Sequence, residues 1–290
     1  MGETQCIVDM PNTINDVLTI LDANKKHVKL IAGGTDLIID MKNGVYCPEH
    51  IISLSRVNEL KNIEETKQGL SIGTTVTANE LASNIIVNNW LPALSEAAFS
   101  MASNQIRNIA TIGGNICSAV PSADLVPPLM AADASISLRN KKSERLVKLQ
   151  DFFLGPRKTV MKDDELATHI IIPKQPKKSG TSYMKFKMRE ANALAVASVA
   201  ARLVLRNGKI NDAKLVLGAV APTPVFSNAA MKKLLNKKPS HKLFEDVSEL
   251  TYVECKPISD VRCCADFRRN IVQALTIRAL NQALSRARGA

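Results

Sequence analysis

KLIAGGTDLIIDMK, residues 29–42, places a short apolar run, Val28 to Ala32, directly before two adjacent glycines, Gly33 and Gly34, with Thr35, Asp36 and a second apolar run behind them. The first run predicts a buried strand and the second, Leu37 to Met41, a helix. Glycine has no Cβ and takes backbone conformations closed to other residues. Set between a strand and a helix, the pair predicts a tight turn whose successive N–H groups can face one point and receive an anion. A plain strand-ending turn has the same composition. A second copy of the design shifts the reading toward a ligand: ATIGGN, Ala110 to Asn115, again runs from an apolar stretch into paired glycines. Two such loops in one chain predict a grip on the two ends of a dinucleotide.

Before this stretch, DMPNTINDVLTILDA (residues 9–23) spaces Ile14, Val17, Leu18 and Leu21 on one helical face behind an Asn-Thr cap. After it, EHIISL (residues 49–54) reads as another strand. The order helix, strand, glycine turn, helix, strand predicts a small parallel α/β unit. Residues 58–77 then change to short alternating runs with a hairpin turn at Gln68-Gly69. Thr77 and Glu80 form a capping-box signature at the start of a helix. Another helix is expected from Leu91 to Ile106, then strands at residues 134–138 and 168–172. Lys174 to Thr181, KQPKKSGT, is basic and carries both proline and glycine, so it reads as a linker. Beyond it, strands are expected at 182–189, 196–206 and 214–218, with Asn207-Gly208 as a hairpin turn. Helices follow at 227–235, 241–250 and 266–287. The last turns Ile271, Ala274, Leu275, Ala279 and Leu280 inward, with Arg268, Arg269, Arg278, Arg286 and Arg288 toward solvent. Three domains result: 1–56, 57–176 and 177–290.

Composition narrows the function. The chain has 290 residues and a net charge of +11. Its aromatics are few and are not interleaved with the basic residues, so nucleic-acid binding by base stacking is not expected. The basic residues spread over surface-like segments and read mostly as solvated faces, with an acidic protein partner as the alternative. No apolar run is long enough to cross a bilayer, no secretory signal is apparent, and Cys at position six breaks the myristoylation pattern begun by Met1-Gly2. Six scattered cysteines without a CxxC pair fit free thiols in the cytoplasm, not a zinc site or an iron–sulfur cluster. His27, His50, His169 and His241 stand apart. There is no GxSxG, GxxxxGK[ST] or GxGxxG motif, so hydrolase, P-loop and Rossmann chemistry are not supported. No catalytic residue and no metal ligand is expected. What remains is two glycine motifs and a polar loop with Ser122 and Asp124: amides for phosphates and a carboxylate for ribityl or ribose hydroxyls. That is the equipment of a protein that holds a cofactor which itself performs the chemistry.

At this point the motifs match a known pattern. IAGGTDLIIDMK, QIRNIATIGGNICSAVPSADLVPPLMAADASISL, DFFLGPRKT with DELATHIIIP, LGAVAPTPVF and ISDVRCCADFRRNIVQALTIRAL occur in that order over nearly the whole chain. Together they resemble the FAD-binding (medium) subunits of molybdenum hydroxylases, which include xanthine, nicotinate and carbon monoxide dehydrogenases. KFKMREA and VAPTPV are most similar to the bacterial xanthine dehydrogenase branch. The resemblance implies an α+β fold. Its first part is a vanillyl-alcohol-oxidase or PCMH-type FAD-binding module, with a small parallel α/β part and an antiparallel α+β part. A C-terminal antiparallel sheet with helices follows. It implies FAD contacts from Lys29, Leu30, Ile31, Ala32, Gly33, Gly34, Thr35 and Asp36, and from Ala110, Thr111, Ile112, Gly113, Gly114 and Asn115. Ser122 and Asp124 in the SAD loop, Leu166 as an apolar wall, and Lys185 near the flavin edge complete the set.

The resemblance also implies partners: a small iron–sulfur subunit, a large molybdopterin subunit and NAD+ or another acceptor, assembled as a dimer of heterotrimers that hydroxylates a purine or other N-heterocycle. A stand-alone flavin oxidase and a non-catalytic flavin-binding scaffold are the competing readings. No His or Cys lies between Val28 and Gly44, which speaks against covalent flavin. Two departures from the pattern stand out. Many relatives carry an acid before Ile-Ala or Leu-Ala where this chain has Ala193-Leu194-Ala195, in a loop near the flavin. The cysteine-bearing insert of the benzoyl-CoA reductase relatives is missing, and Cys117 is the one cysteine of the middle region.

Overall fold

The computed structural model describes residues 6–23, 28–190 and 192–289, so Met1-Gly2 and His27 lie outside the described residues. The N-terminal part is a three-stranded parallel sheet. Its strands are β1 (Ile7–Asp9), β2 (Val28–Ile31) and β3 (His50–Ser53), in the order β1-β3-β2. Helix α1 (Ile14–Ala23) buries Ile14, Val17, Leu18 and Leu21 as its spacing predicts, against Leu54, Leu60 and Leu166. Helix α2 (Leu37–Lys42) follows the glycine pair at the end of β2. Leu166 comes from the next part of the chain, so this core is shared across the two.

The middle part is a five-stranded antiparallel sheet under a layer of helices. It begins with the hairpin β4 (Ile63–Thr66) and β5 (Gly69–Gly73). Helices α3 (Ala78–Ser83), α4 (Ile85–Trp90), α5 (Pro92–Ser100), α6 (Asn104–Arg107), α7 (Ile112–Cys117) and α8 (Val126–Ala131) come next. Strands β6 (Ser135–Arg139) and β7 (Glu144–Lys148), a small ribbon of β8 (Phe153–Gly155) and β9 (Lys158–Thr159), and β10 (Leu166–Pro173) complete it, in the order β4-β5-β10-β6-β7. Alternate residues Leu70, Ile72, Ile136, Leu138, Ile170 and Ile172 turn inward and meet Leu81, Leu94, Ile116 and Leu129 of the helices. The capping box at Thr77 and Glu80 is formed.

The C-terminal part is an antiparallel sheet of β11 (Ser179–Phe186), β12 (Ala197–Arg206), β13 (Lys209–Gly218) and β14 (Val225–Phe226), backed by α9 (Asn228–Leu234), α10 (His241–Glu254) and α11 (Ala265–Gly289). Val272, Leu275, Ala279, Leu280 and Ala283 of α11 pack on the sheet over β11 and β12.

Four expectations need correction. The helix expected from Leu91 to Ile106 is two helices: the chain breaks at Ala102 (φ 37°), and Ser103 caps a new helix by accepting from the Ile106 amide. The second glycine pair is not a turn but the first turn of α7, capped by Thr111. Strand β13 begins at Lys209, directly after the Asn207-Gly208 turn, whose φ angles of 51° and 71° fit a tight hairpin. Helix α11 faces differently than expected: Ala274 is exposed, and Arg268, only 1 % exposed, donates to the Val196 carbonyl at 2.9 Å and pairs with Asp260 at 2.7 Å, since a buried guanidinium needs a counter-charge.

Candidate functional site

A cleft runs between the parallel sheet, the helices of the middle part and the loop after β11. It has two cavities, of about 520 and 470 Å³, that share Lys29, Leu30, Ala32, Tyr46, Gly114 and Cys117 in their walls. Each lies in the range of roughly 300–1,000 Å³ common for ligand pockets.

The two glycine motifs meet at this cleft and behave oppositely. In the first, the chain leaves β2 and enters α2 with Gly34 in the left-handed region (φ 70°). Among the described residues, the amides of Gly33, Gly34, Thr35 and Asp36 donate to no protein acceptor. All four residues line the larger cavity. Four open N–H groups at the start of a helix form a site for an anion. In the second motif five of the six amides, all but that of Thr111, are already used. Ala110 donates to Ile106 (2.8 Å), Ile112 to Val76 (2.9 Å), Gly113 to Thr74 (2.9 Å), Gly114 to the Thr111 hydroxyl (3.0 Å) and Asn115 to the Thr111 carbonyl (3.0 Å).

The glycines themselves serve packing. A Cβ on Gly33 would stand 1.7 Å from the Ile109 carbonyl oxygen, and one on Gly113 would stand 2.5 Å from Thr74 Cβ. The motifs are thus neighbours pressed backbone to backbone, not grips at two separate ends of a ligand. Gly114 differs: a Cβ there would meet only the Thr111 hydroxyl, at 3.0 Å, and the residue borders both cavities.

Side chains lock the open loop in place. The Ser118 hydroxyl donates to Asp36 at 2.7 Å, and Arg157 pairs with Asp40 at 2.6 Å. Asn115 accepts from the Leu125 amide at 3.1 Å, which fixes the loop that carries Ser122 and Asp124. Both of those residues line the larger cavity. Asp124 is 6 % exposed, with Lys185 Nζ at 2.7 Å from one oxygen and the Tyr183 hydroxyl at 2.7 Å from the other. Burial pushes its carboxyl up, while Lys185 and Tyr183 act in the opposite direction. Burial, followed by the neighbouring Asp124 charge, pushes the Tyr183 hydroxyl well above its ordinary range.

Of the residues expected at the site, Lys29 to Asp36, Ala110, Thr111, Gly114, Asn115, Ser122 and Asp124 line the larger cavity, and Gly113 and Leu166 the smaller. Two do not reach it. Ile112 is fully buried in the helix-layer core, and Lys185 stands behind Asp124. Tyr46, Met161, Arg157 and Asn192 line the cleft without having been singled out. Lys29 lies over the Tyr46 ring at 4.3 Å. Arg157 lies in the DFFLGPRKT motif but carried no role there, and only tertiary packing brings these four to the cleft. Ala193 and Leu194, where the acid of many relatives is missing, also form part of the wall.

The open amides fit a pyrophosphate, and the two-lobed cleft with walls such as Leu54 and Leu166 fits an extended dinucleotide. Among the described residues no three His, Cys, Asp or Glu side chains gather into a metal-holding group. No helix there is long and apolar enough to cross a membrane.

Comparison with known proteins agrees with this geometry. Residues 4–175 match the family described as the FAD binding domain in molybdopterin dehydrogenase, and residues 181–283 match the CO dehydrogenase flavoprotein C-terminal domain. The xanthine dehydrogenase FAD-binding subunit of Escherichia coli is 33% identical over 279 residues, covering 96% of this chain and 95% of its own. The carbon monoxide dehydrogenase medium chain of Hydrogenophaga pseudoflava is 30% identical over 276 residues, covering 95% and 96%. The solved structure of carbon monoxide dehydrogenase from that organism superposes with a TM-score of 0.93 at 30% identity, over 99% of both chains. The α+β architecture, an FAD-binding module followed by an antiparallel sheet with helices, is therefore that of these medium subunits. The chain belongs to the FAD-binding subunits of the molybdenum hydroxylases, the xanthine and carbon monoxide dehydrogenase type of FAD-dependent oxidoreductase.

Proposed function

We propose that this chain is the electron-outlet subunit of a heteromeric molybdenum hydroxylase, working in the cytoplasm. Electrons released at a molybdopterin centre on a large subunit pass through iron–sulfur clusters on a small subunit to FAD here, and then to NAD+ or another acceptor. The observation that carries this reading is the row of open amides from Gly33 to Asp36 on the wall of a two-lobed cleft. The similarity to a xanthine dehydrogenase subunit supports a purine or related N-heterocycle as the compound oxidised by the complex. A dimer of heterotrimers is the assembly we expect.

Each group in the cleft has a task. The amides of Gly33 to Asp36 take the pyrophosphate, each hydrogen bond to a charged oxygen contributing about 1.5–3 kcal/mol. Lys29 to Ala32 carry the loop. Ala110 to Asn115 brace it through the Gly33 contact, and Gly114 leaves room for the ligand. The Ser122 hydroxyl accepts from or donates to cofactor hydroxyls, the Asp124 carboxylate accepts from them, and Leu166 packs on an apolar face. FAD supplies a two-electron acceptor that can pass electrons onward, so the chain need only bind it, orient it and shield it from water. The domains are taken as 1–56, 57–176 and 177–290.

The purified protein provides the test. It should be yellow, release its flavin into the supernatant on acid precipitation, and co-purify with molybdenum and iron when its partners are co-expressed. A colourless protein that takes up no added FAD would refute the reading. Flavin retained in the acid pellet would point to covalent attachment, and a flavoprotein that oxidises a substrate without partners would be a stand-alone oxidase.

A further inference from the structure

We propose that Tyr183 is a positioning residue for the cofactor: together with Lys185 it clamps both oxygens of Asp124, so that a strand of the C-terminal sheet fixes the carboxylate that borders the cleft. The inference rests on the reading of the cleft as an FAD site. Tyr183 and Lys185 are two apart on β11 and therefore point to the same side of the strand. Each donates to its own oxygen of Asp124 at 2.7 Å. Asp124 lines the larger cavity, whereas neither donor does. Both are enclosed, with Tyr183 5 % exposed and the Lys185 side chain 3 %. A carboxylate with both oxygens held has little freedom to rotate, and this one borders the ligand space.

The clamp is itself braced. The Tyr183 amide donates to Glu96 of α5 at 3.0 Å, and Gln282 and Arg286 of α11 hold the other oxygen of that carboxylate. Lys185 also donates to the Ser100 carbonyl at the end of α5. The orientation of Asp124 is thus set by β11, α5 and α11 together, none of which carries a glycine motif. Lys185 acts through Asp124 and does not touch the ligand space.

Around Asp124, Lys185, Tyr183 and, further off, Lys187 come from β11 and its end, Glu96 lies behind Tyr183 on α5, and Lys29, Asp36, Asp40, Tyr46, Cys117 and Arg157 share the cavity wall. Lys185 and Tyr183 both favour the ionised carboxylate against its burial. Removing either one lets burial raise the pKa further. FAD binding that needs the carboxylate then fails at a higher pH than in the parent protein.

The test titrates FAD into flavin-free protein, followed by flavin fluorescence, from pH 5 to pH 9, for the parent, Tyr183→Phe, Lys185→Met, Asp124→Asn and the double variants with Asp124→Asn. We expect Tyr183→Phe to weaken binding by about tenfold, the scale of one hydrogen bond to a charged group. Its acid limb should move to higher pH, and its effect should vanish once Asp124 is Asn. The midpoint potential of bound flavin should shift in Tyr183→Phe and Asp124→Asn alike. Parent-like affinity and an unmoved acid limb in Tyr183→Phe would overturn the clamp. So would effects of Tyr183→Phe and Asp124→Asn that multiply. Should circular dichroism show Tyr183→Phe unfolded, the Lys185→Met and Asp124→Asn pair decides by the same criteria. Failure of the parent itself to bind FAD would refute the reading of the cleft, a result distinct from failure of the clamp.

Discussion

Gly33→Ala and Gly114→Ala should have opposite consequences although both replace a glycine of a Gly-Gly pair. At Gly33 the new methyl would stand 1.7 Å from the Ile109 carbonyl oxygen and 2.6 Å from its carbon, where ordinary contact begins near 3.4 Å. Both obstacles are backbone, so the two loops must separate by well over an ångström. Overpacking of this kind costs about 1–3 kcal/mol, and occasionally more. For a domain of this size each kcal/mol lowers Tm by about 2–4 °C, so a fall of about 2–12 °C is expected in flavin-free protein. FAD affinity should drop as well, because the open amides ride on the displaced loop. At Gly114 the methyl meets only the Thr111 hydroxyl at 3.0 Å and otherwise projects toward the cleft. Replacing a helical glycine by alanine favours the helix by roughly 0.5–1 kcal/mol, so Tm should hold or rise while FAD binding weakens. Thermal denaturation without FAD, paired with FAD titration, separates the two effects. If Gly33→Ala kept the parent Tm, or if Gly114→Ala lost as much as Gly33→Ala, the assignment of one motif to loop contact and one residue to ligand space would be wrong.

Two further outcomes can be measured. Hydrogen bonds from the Arg262 side chain, outweighing desolvation, together with a contact from Arg268, hold the Asp260 carboxyl well below the usual carboxylate range. A depressed pKa gives stability above the unfolded-state value, near about 4, that is lost as pH falls below it. Asp260→Asn should therefore lower Tm at pH 7, and its gap to the parent should close as the pH drops under about 4. A gap constant with pH would show that the charge plays no part. Burial pushes the Cys117 thiol up to about 12, whereas Cys47 and Cys264 are exposed. Iodoacetamide at pH 8, with labelling mapped by mass spectrometry, should modify Cys47 and Cys264 well before Cys117. Equal labelling rates would count against the burial argument, and FAD should slow Cys117 further.

Much of the fold was legible because its signals are local. The amphipathic spacing of Ile14 to Leu21, the capping box at Thr77 and Glu80, and the Asn-Gly turn at 207–208 each follow from residues within a turn or two. Strand β1 was not, since three residues with Ile7 and Val8 exposed show neither alternation nor a buried run. The break at Ala102 hid inside an apolar stretch that Ser103 recaps. The first glycine motif could be read directly, for open amides at a strand–helix junction are a property of the local chain. The second could not, because whether its amides are free depends on Thr74 and Val76, far back in the sequence. Lys185 was placed at the flavin edge by likeness alone, and its actual contact, Asp124, is sixty-one residues away. Arg268 misled for the reason that arginine usually faces water: its acceptors at Val196 and Asp260 appear only once the sheet and the loop before α11 have come together.

The chain looks divisible between residues 175 and 181, where one family region ends and the next begins. The wall behind Asp124 ignores that seam. Asp124 belongs to the first region, and Tyr183 and Lys185, which hold it, belong to the second. A hybrid that joined the first region of one medium subunit to the second of another would therefore inherit a carboxylate from one parent and its restraints from the other. Such a graft should keep its flavin only if the residues at 96, 124, 183 and 185 travel as a set, whichever parent supplies the glycines.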